Sequence, residues 1–320
     1  MRPVPAAAAL QFGVFTTEQA LAAGWTMHAL RHAVAIGRLE RLRPGAYALP
    51  RDDRAARLRA AAAAFSLTNP GVPVSHSAAG AVFGLPLLRV PEHVCATYPR
   101  GRRGLMPGVH RHRGRLPLAD TGRLRCVRLT SPARTVLDIG HEMGADAAIV
   151  AADSALRTRL ATTATLLAAS ETVESWPSIA PARRAVALAD GAAESPLESI
   201  SRLRLAAAGL PVPRLQPNLY DLRGAFLGRP DFYWDEVGVV GEADGLAKYD
   251  GRTESLAAEK RRQAGFERAG LIVVRWLWTD LADFAVVEAE LRDAFARGRR
   301  PDRAPRRWRV RSWPHPGAVM

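Results

Sequence analysis

The stretch TTEQALAAGWTMHALRHAVAIGRLERLRPGAYAL, residues 16–49, decides the fold of the N-terminal part of the chain. Thr16 is followed three residues later by Gln19, the pattern of a capping box, so a helix begins here and ends at Gly24. After a tight turn, Thr26 can cap a second helix. Two short helices in this order predict a helix-turn-helix unit.

A small hairpin follows the second helix. Gly37 ends that helix, and Arg-Pro-Gly at residues 43–45 is a turn signal between Leu42 and Tyr47. Helix, turn, helix and basic hairpin is the order of a winged helix-turn-helix, in which the second helix enters the major groove and the wing contacts the backbone. A plain helical hairpin with a solvated basic face is the alternative.

The candidate DNA contacts are basic side chains on two parts of this segment. One set follows the outer face of the second helix, and the other belongs to the wing. They are His28, Arg31, His32, Arg38, Arg41 and Arg43.

Composition restricts the class of protein. A chain of 320 residues that is 48% hydrophobic can bury sizeable cores, and it contains no apolar run of 18 residues, which argues against a membrane span. The net charge of +14 and a pI of about 11.1 favour a polyanionic partner, and nucleic acid is the leading candidate. Routine use of arginine on the surface would give the same charge. Cys95 and Cys126 form neither a disulfide framework nor a zinc spacing, so we expect a reducing, cytoplasmic location.

Changes in composition and predicted elements divide the chain into four segments. The predicted fold class is mixed α/β, of the α+β kind. A mixed α/β middle domain follows the winged helix-turn-helix, and then comes a domain with a mixed sheet flanked by helices. The arginine- and proline-rich run RGRRPDRAPRRWRVRS reads as a flexible basic tail. The segments are 1–50, 51–175, 190–297 and 298–320.

Two histidines stand in GVHRHRG, residues 108–114. No carboxylate or thiol is near them in sequence, so an exposed basic strand is favoured over a metal pair.

Carboxylates are concentrated in GRPDFYWDEVGVVGEADG, residues 228–245. If this stretch is a hairpin, Glu242 and Asp244 share one strand face and Asp231 lies on the neighbouring strand. Carboxylates that meet at a strand end repel one another unless a cation lies between them, and Mg²⁺ or Mn²⁺ prefers such oxygen ligands. Lys248, a little further on, could orient a water or offset charge on a phosphate.

These residues resemble the PD-(D/E)XK nuclease superfamily, and most closely the domains related to very-short-patch-repair (Vsr) endonucleases. The resemblance covers about a third of the chain. It implies a restriction-endonuclease-like fold, Asp231, Glu242 and Lys248 as catalytic residues, and Glu198, Asp231, Glu242 and Asp244 as metal ligands. The superfamily has Lys where Asp244 stands, and Lys248 would be its migrated counterpart. Glu198, in SPLESISRL, is equally well explained as part of a helix cap at Ser195.

Residues 12–49, and less specifically the region to about residue 170 with the mixed α/β domain 51–175, are similar to the AbiEi-type antitoxins of type IV toxin–antitoxin systems. The shared features are the two short helices, the Arg-Leu-x-Arg approach and the Pro-Gly-x-Tyr end of the wing. This resemblance implies a winged helix that binds DNA, repression of the protein's own promoter, and a cognate toxin as a further candidate partner.

The sequence therefore predicts a DNA-binding protein whose C-terminal domain hydrolyses DNA phosphodiesters with a metal ion. The alternative is a transcriptional regulator or antitoxin that binds DNA through its winged helix and does not cut it. The sequence indicates no organic cofactor and no oligomeric state.

Overall fold

The structure, a computed structural model, describes residues 3–244, 262–300 and 307–311. The chain divides into two compact units, Met1–Ala189 and Asp190–Met320. Each unit combines helices with small sheets, so the predicted mixed α/β class of the α+β kind is confirmed. Among the described residues, no helix has both the length and the apolar character needed to cross a bilayer.

The first unit begins with the element order of a winged helix. A 3₁₀ turn precedes three short strands and two helices, and the strands pair antiparallel in the order β1-β3-β2. The elements are the turn Ala6–Leu10, β1 (Val14–Thr16), α1 (Thr17–Ala22), α2 (Met27–Ala35), β2 (Glu40–Arg43) and β3 (Ala46–Ala48).

The predicted local signals explain these boundaries. The Thr16 backbone N–H donates to Gln19 Oε1 at 2.9 Å, and the Gln19 N–H donates to Thr16 Oγ1 at 3.2 Å, which completes the capping box of α1. The Ala29 N–H donates to Thr26 Oγ1 at 3.1 Å and caps α2. Gly45 has a φ of 82° in the β2–β3 turn, a conformation that favours glycine.

The rest of the first unit packs helices against two small sheets. Its core includes Phe65, Val74 and Leu129, and Val14 and Ala46 of the winged helix belong to the same cluster. The elements are α3 (Arg54–Thr68), α4 (His76–Phe83), β4 (Val94–Tyr98), β5 (Gly104–Met106), β6 (Val109–Arg113), β7 (Thr121–Leu124), β8 (Val127–Thr130), α5 (Pro132–Met143), α6 (Ala145–Arg157), α7 (Thr163–Thr172) and α8 (Ala180–Ala187).

The second unit is built on a four-stranded sheet of order β14-β13-β12-β9, in which β13 and β14 are parallel and the other pairs antiparallel. A second sheet has the order β11-β10-β15. The elements are α9 (Pro196–Ala207), β9 (Arg214–Leu215), β10 (Asn218–Asp221), β11 (Phe226–Gly228), β12 (Phe232–Trp234), β13 (Val239–Asp244), α10 (described over residues 262–268), β14 (Ile272–Leu277), α11 (Ala285–Gly298) and β15 (Trp308–Arg311).

Side chains alternate between the two faces of the four-stranded sheet. Phe232 and Trp276 pack in a core with residues of α9 and α11, whereas Tyr233 and Val240 pack in a core that contains Phe266 of α10. Because Glu242 is two residues beyond Val240 on β13, it lies on the α10 face.

The prediction of a flexible tail over 298–320 is wrong for residues 308–311. Strand β15 pairs antiparallel with β10, with Leu219 opposite Val310. Trp308 is buried, and its indole N–H donates to the Tyr233 hydroxyl at 2.6 Å. The buried Trp308 and the backbone pairing with β10 order this part of the chain despite the arginines around it.

Candidate functional site

Helix α2 presents one apolar face and one basic face. Leu30 and Ala33 are buried, at 0% and 6% exposure. His28, Arg31 and His32 are exposed on the remaining surface. The structure therefore places all three predicted helix residues on the exposed surface of α2.

The wing carries the other predicted contacts. Arg38 and Arg41 are exposed. Arg43 is half-buried, and its guanidinium carbon lies 4.9 Å from the centroid of the Phe65 ring, within the range of a cation–π contact. The Arg43 side chain thus helps to pack the hairpin against α3, whereas the side chains of Arg38 and Arg41 are exposed.

Two arginines of α3 extend this basic surface. Arg54 and Arg57 are exposed, and they line a cleft of about 560 Å³ together with the wing residues 40–44. Glu40 and Glu92 also line the cleft, so the surface is not uniformly positive. The two arginines are three residues apart, a spacing that places them on one face of a helix. The sequence could therefore have predicted that they lie side by side.

In the second unit, the sheet brings the predicted carboxylates to one region. Asp231 directly precedes β12, Glu242 and Asp244 lie on β13, and Glu198 is in the first turn of α9. Lys248 lies outside the described residues.

Gln216, which follows β9, connects two of these acids. Its side-chain Nε2 donates to Glu198 Oε2 and to Asp231 Oδ1, both at 3.0 Å. Asp231 Oδ2 accepts from the Ala243 backbone N–H at 2.8 Å. The Asp231 carboxylate is therefore held between Gln216 and β13. Gln216 was missed in the sequence because nothing local relates it to Asp231.

The capping explanation of Glu198 holds only in part. The Glu198 backbone N–H donates to Ser195 Oγ at 3.2 Å, as a capping serine requires. The Glu198 carboxylate, however, accepts from the Glu194 N–H at 2.9 Å and from Gln216. Its side chain thus joins the carboxylate cluster and caps the chain entering α9 at the same time.

Two arginines face Glu242, which is only 1% exposed. Arg262 Nη2 of α10 donates to Glu242 Oε2 at 2.5 Å, and Arg275 Nη2 of β14 lies 3.5 Å from the same oxygen. Arg275 Nη1 also donates to Asp244 Oδ2 at 3.1 Å. Parallel pairing of β13 with β14 sets Glu242 directly opposite Arg275. Glu242 Oε1 is buried and accepts no hydrogen bond from any residue that the structure describes.

The environment of Glu242 favours its neutral form. Burial is the main cause and, with the charges of Asp231 and Asp244, it raises the pKa of Glu242 to about 7 against the opposing effect of Arg262 and Arg275. The sum of these effects means that the two ion pairs do not fully compensate the loss of water around this carboxylate.

The cluster fits a hard divalent cation in charge and donor type. Counted over these described side chains alone, the ionised carboxylates of Glu198, Asp231, Glu242 and Asp244 exceed the charges of Arg262 and Arg275 by two. Glu242 Oε1, which accepts no hydrogen bond from the described residues, is an oxygen donor of the kind that Mg²⁺ or Mn²⁺ prefers. Within the described residues, these acids do not form a group of three with donor atoms within 4.8 Å of one another. A Mg²⁺ ion held by two carboxylates and several waters needs no such group.

Comparison with known proteins supports the N-terminal assignment. Residues 2–50 match a family described as "Transcriptional regulator, AbiEi antitoxin". The predicted AbiEi resemblance is confirmed for this segment, and the nuclease resemblance of the second unit stays a prediction.

Two proteins of Mycobacterium tuberculosis are similar to a larger part of the chain. They are the uncharacterized proteins MT2308 of strain CDC 1551 and Rv2248 of strain H37Rv, each 30% identical over 171 residues. The match covers 53% of this chain and 60% of each relative. The crystal structure of the RV2827C protein from the same species covers 63% of this chain and 82% of its own, at 17% identity. Its TM-score of 0.34 is too low to carry an argument about the fold.

Proposed function

We propose that the chain is a DNA-binding transcriptional regulator that uses its winged helix to bind duplex DNA. The observation that carries this proposal is the basic outer face of α2, formed by His28, Arg31 and His32, in the segment that matches the AbiEi regulator family. The fully buried Leu30 fixes the rotation of the helix, so these side chains face outward together.

The two parts of the winged helix would have different tasks. Arg31 near the middle of α2 suits a bidentate contact to a guanine edge in the major groove, which discriminates between sequences. Arg38 and Arg41 on the wing suit phosphate contacts, which strengthen binding to every sequence. Arg54 and Arg57, beside the wing, would extend the phosphate contacts.

The first experiment selects duplexes from a random pool with the full chain and measures affinity for the selected site and for a scrambled one. Arg31→Ala should lose about 1–3 kcal/mol of discrimination between the two duplexes. Arg184→Ala removes an exposed arginine of α8 and is the matched control for loss of charge. Equal losses in the two variants would contradict a reading role for Arg31.

The carboxylate cluster supports a second candidate function, metal-dependent hydrolysis of DNA phosphodiesters by the second unit. Glu242 is a buried acid with one oxygen that accepts no hydrogen bond from the described residues, and the charge of Asp231 acts on it. The orientation of Asp231 is set by Gln216 and the Ala243 N–H. A short hairpin can fold with an exposed polar turn. Folding alone therefore does not explain why the Asp231 carboxylate is held by two hydrogen bonds and why Glu242 is buried.

In this candidate function, Asp231 and Glu242 would hold the Mg²⁺ or Mn²⁺ ion, with Glu198 or Asp244 reaching it directly or through water. A bound ion of this kind supplies an activated water and offsets charge that develops on a phosphate. Gln216 would keep the Asp231 carboxylate oriented, and Arg275 would balance Asp244. Lys248 keeps its predicted role as the group that orients the water or stabilises the phosphate.

The second experiment measures nicking of plasmid and single-stranded DNA by the full chain with Mg²⁺ or Mn²⁺. Asp231→Asn should abolish cleavage and leave DNA affinity equal or higher, because a negative charge near phosphate is lost. Lys248→Ala should lower the rate by orders of magnitude. Glu236→Gln changes an exposed acid in the turn of the same hairpin and should cleave normally. Equal cleavage by Asp231→Asn would reject the site.

A cognate toxin is the remaining candidate partner, and it follows from the antitoxin description of the family alone. Co-expression with the product of a neighbouring gene that inhibits growth tests it directly. Failure of this chain to relieve that inhibition would leave the regulator function without an antitoxin role.

A further inference from the structure

A group of soft and borderline donors lies in the first unit, away from the winged helix in sequence. Parallel pairing of β4 with β6 sets Cys95 opposite His110, with His112 two residues further on the same strand face. Cys95 Sγ and one ring nitrogen from each histidine all lie within 4.8 Å of one another. These are the only three donors at such spacing in the described part of the chain.

The sequence-based interpretation of residues 108–114 as an exposed basic strand is therefore wrong for its histidines. The strand is present, but His110 and His112 are half-buried, and Cys95 provides the thiol that no sequence neighbour offers. The physical reason is that β4 and β6 are neighbours in the sheet although β5 lies between them in sequence, so their proximity does not follow from sequence spacing.

We infer that Cys95, His110 and His112 bind one divalent metal ion of borderline softness, Zn²⁺ or a transition metal with the same ligand preference such as Co²⁺. One thiolate and two imidazoles form a donor set that binds these ions more strongly than it binds Mg²⁺ or Ca²⁺. A tetrahedral Zn²⁺ site separates its ligand atoms by about 3.5 Å, so binding draws the donor atoms closer by roughly 1.3 Å at most.

His112 offers a buried ring nitrogen to a metal ion. His112 Nε2 is buried and has no hydrogen-bond partner among the described residues. A buried imidazole nitrogen without a hydrogen-bond partner costs free energy that a bound ion would recover.

The carboxylate of Glu142 on α5 contacts the Cys95 thiol. The Cys95 S–H donates to Glu142 Oε1 at 3.5 Å. Ser77 holds the same carboxylate, because its backbone N–H and its hydroxyl donate to Glu142 at 3.1 and 3.3 Å. Carboxylates in such second positions orient ligands and tune metal sites. Metal binding would release the thiol proton to solvent, and the Glu142 carboxylate would then lose its hydrogen bond from Cys95 and keep those from Ser77.

A fourth coordination position would open into a cavity. His110 and His112 line a cavity of about 370 Å³, whose wall also includes His76, His141 and several arginines. Three protein ligands with one open position are the arrangement of zinc sites that bind water or a small ligand. The arginines disfavour a bare cation there, so the Cys95 thiolate and Glu142 are needed to offset the charge of the ion.

The test uses the full chain, stripped of metal and titrated with Co²⁺. We expect one Co²⁺ per chain and a thiolate-to-cobalt absorption band in the near ultraviolet, and Zn²⁺ should displace the Co²⁺. Cys95→Ser should abolish the band, whereas Cys126→Ser, which changes the second and half-buried thiol, should keep it. His110→Gln should weaken Co²⁺ affinity at least about tenfold.

The variants also separate metal binding from folding. His110 is half-buried, so His110→Gln remains informative if Cys95→Ser does not fold, as judged by far-ultraviolet circular dichroism without metal. Absence of the band in the unmodified chain, or its persistence in Cys95→Ser, overturns the site. Binding of inorganic phosphate in place of Co²⁺ also overturns it and makes the cavity an anion pocket.

Discussion

The winged helix and the carboxylate region of the second unit use charge in opposite ways. The winged helix places its basic groups outside a small apolar core, and Arg31, Arg38 and Arg41 are exposed to solvent. In the second unit Glu242 is 1% exposed and is bound by Arg262. Exposed charges are nearly independent of one another in energy, whereas buried ones are coupled. Substitutions in the first region should therefore change binding, and those in the second should change stability as well.

The largest effect should come from the core beneath the carboxylates. Trp276 is 1% exposed, and its indole N–H donates to Ser201 Oγ at 2.7 Å. Trp276→Ala should destabilise the second unit by about 3–5 kcal/mol, because it leaves a cavity and an unpaired serine. Hydrogen exchange of the β13 amides measures the loss. Trp278 is 37% exposed, and Trp278→Ala should cost far less. Equal losses would mean that the sheet does not depend on this core.

The next effect concerns the pH dependence of stability. Between an ordinary pKa of 4.5 and the raised pKa of about 7, the folded Glu242 keeps a proton that the unfolded chain has released. Stability from this group is thus fully present below pH 4.5 and is lost as pH rises through 7. The loss is about 3 kcal/mol, with a slope of at most about 1.4 kcal/mol per pH unit.

Glu242→Gln lacks this titration, so the stability difference between the parent chain and the variant should fall as pH rises from 4.5 to 8. Urea unfolding followed by circular dichroism at several pH values measures it, and comparison at each pH removes the contribution of the first unit. A difference that grows with pH would show that Arg262 and Arg275 outweigh burial at Glu242.

A smaller effect tests what holds the winged helix. Thr26→Ala removes the acceptor of the Ala29 N–H and should destabilise the first unit by about 1 kcal/mol. Thr26→Ser keeps the hydroxyl and should lose much less. Thermal unfolding of both variants supplies the comparison. If the two variants are equally unstable, the methyl group of Thr26 matters and the cap does not.

The same contrast explains what could be predicted from the sequence. The caps at Thr16 and Thr26 and the turn at Gly45 are local signals, so the winged helix followed from neighbouring residues. Alternation along β13 also gave the shared face of Glu242 and Asp244.

Other contacts join parts of the chain that are distant in sequence, so no local sequence pattern predicts them. Gln216 meets Asp231 across a strand pairing, and Cys95 meets His110 through the pairing of β4 with β6. The arginines around strand β15 led to the prediction of a flexible tail. The buried Trp308, however, holds this strand in place against β10.

The smallest effect on stability should accompany a clear effect on binding. Arg38 and Arg41 are exposed wing residues, so Arg38→Ala and Arg41→Ala should change the free energy of unfolding by less than about 0.5 kcal/mol. Each should weaken binding to the selected and scrambled duplexes alike, and should reduce the slope of log affinity against log salt by about 1, because one phosphate contact releases fewer counterions when it is lost. Fluorescence anisotropy at several salt concentrations measures the slope. Arg43, whose guanidinium packs over Phe65, is the internal comparison. Arg43→Ala should lose both stability and affinity, since the same side chain holds the hairpin to α3. If Arg38 and Arg41 behave as Arg43 does, the wing is a structural hairpin and DNA contacts the chain elsewhere.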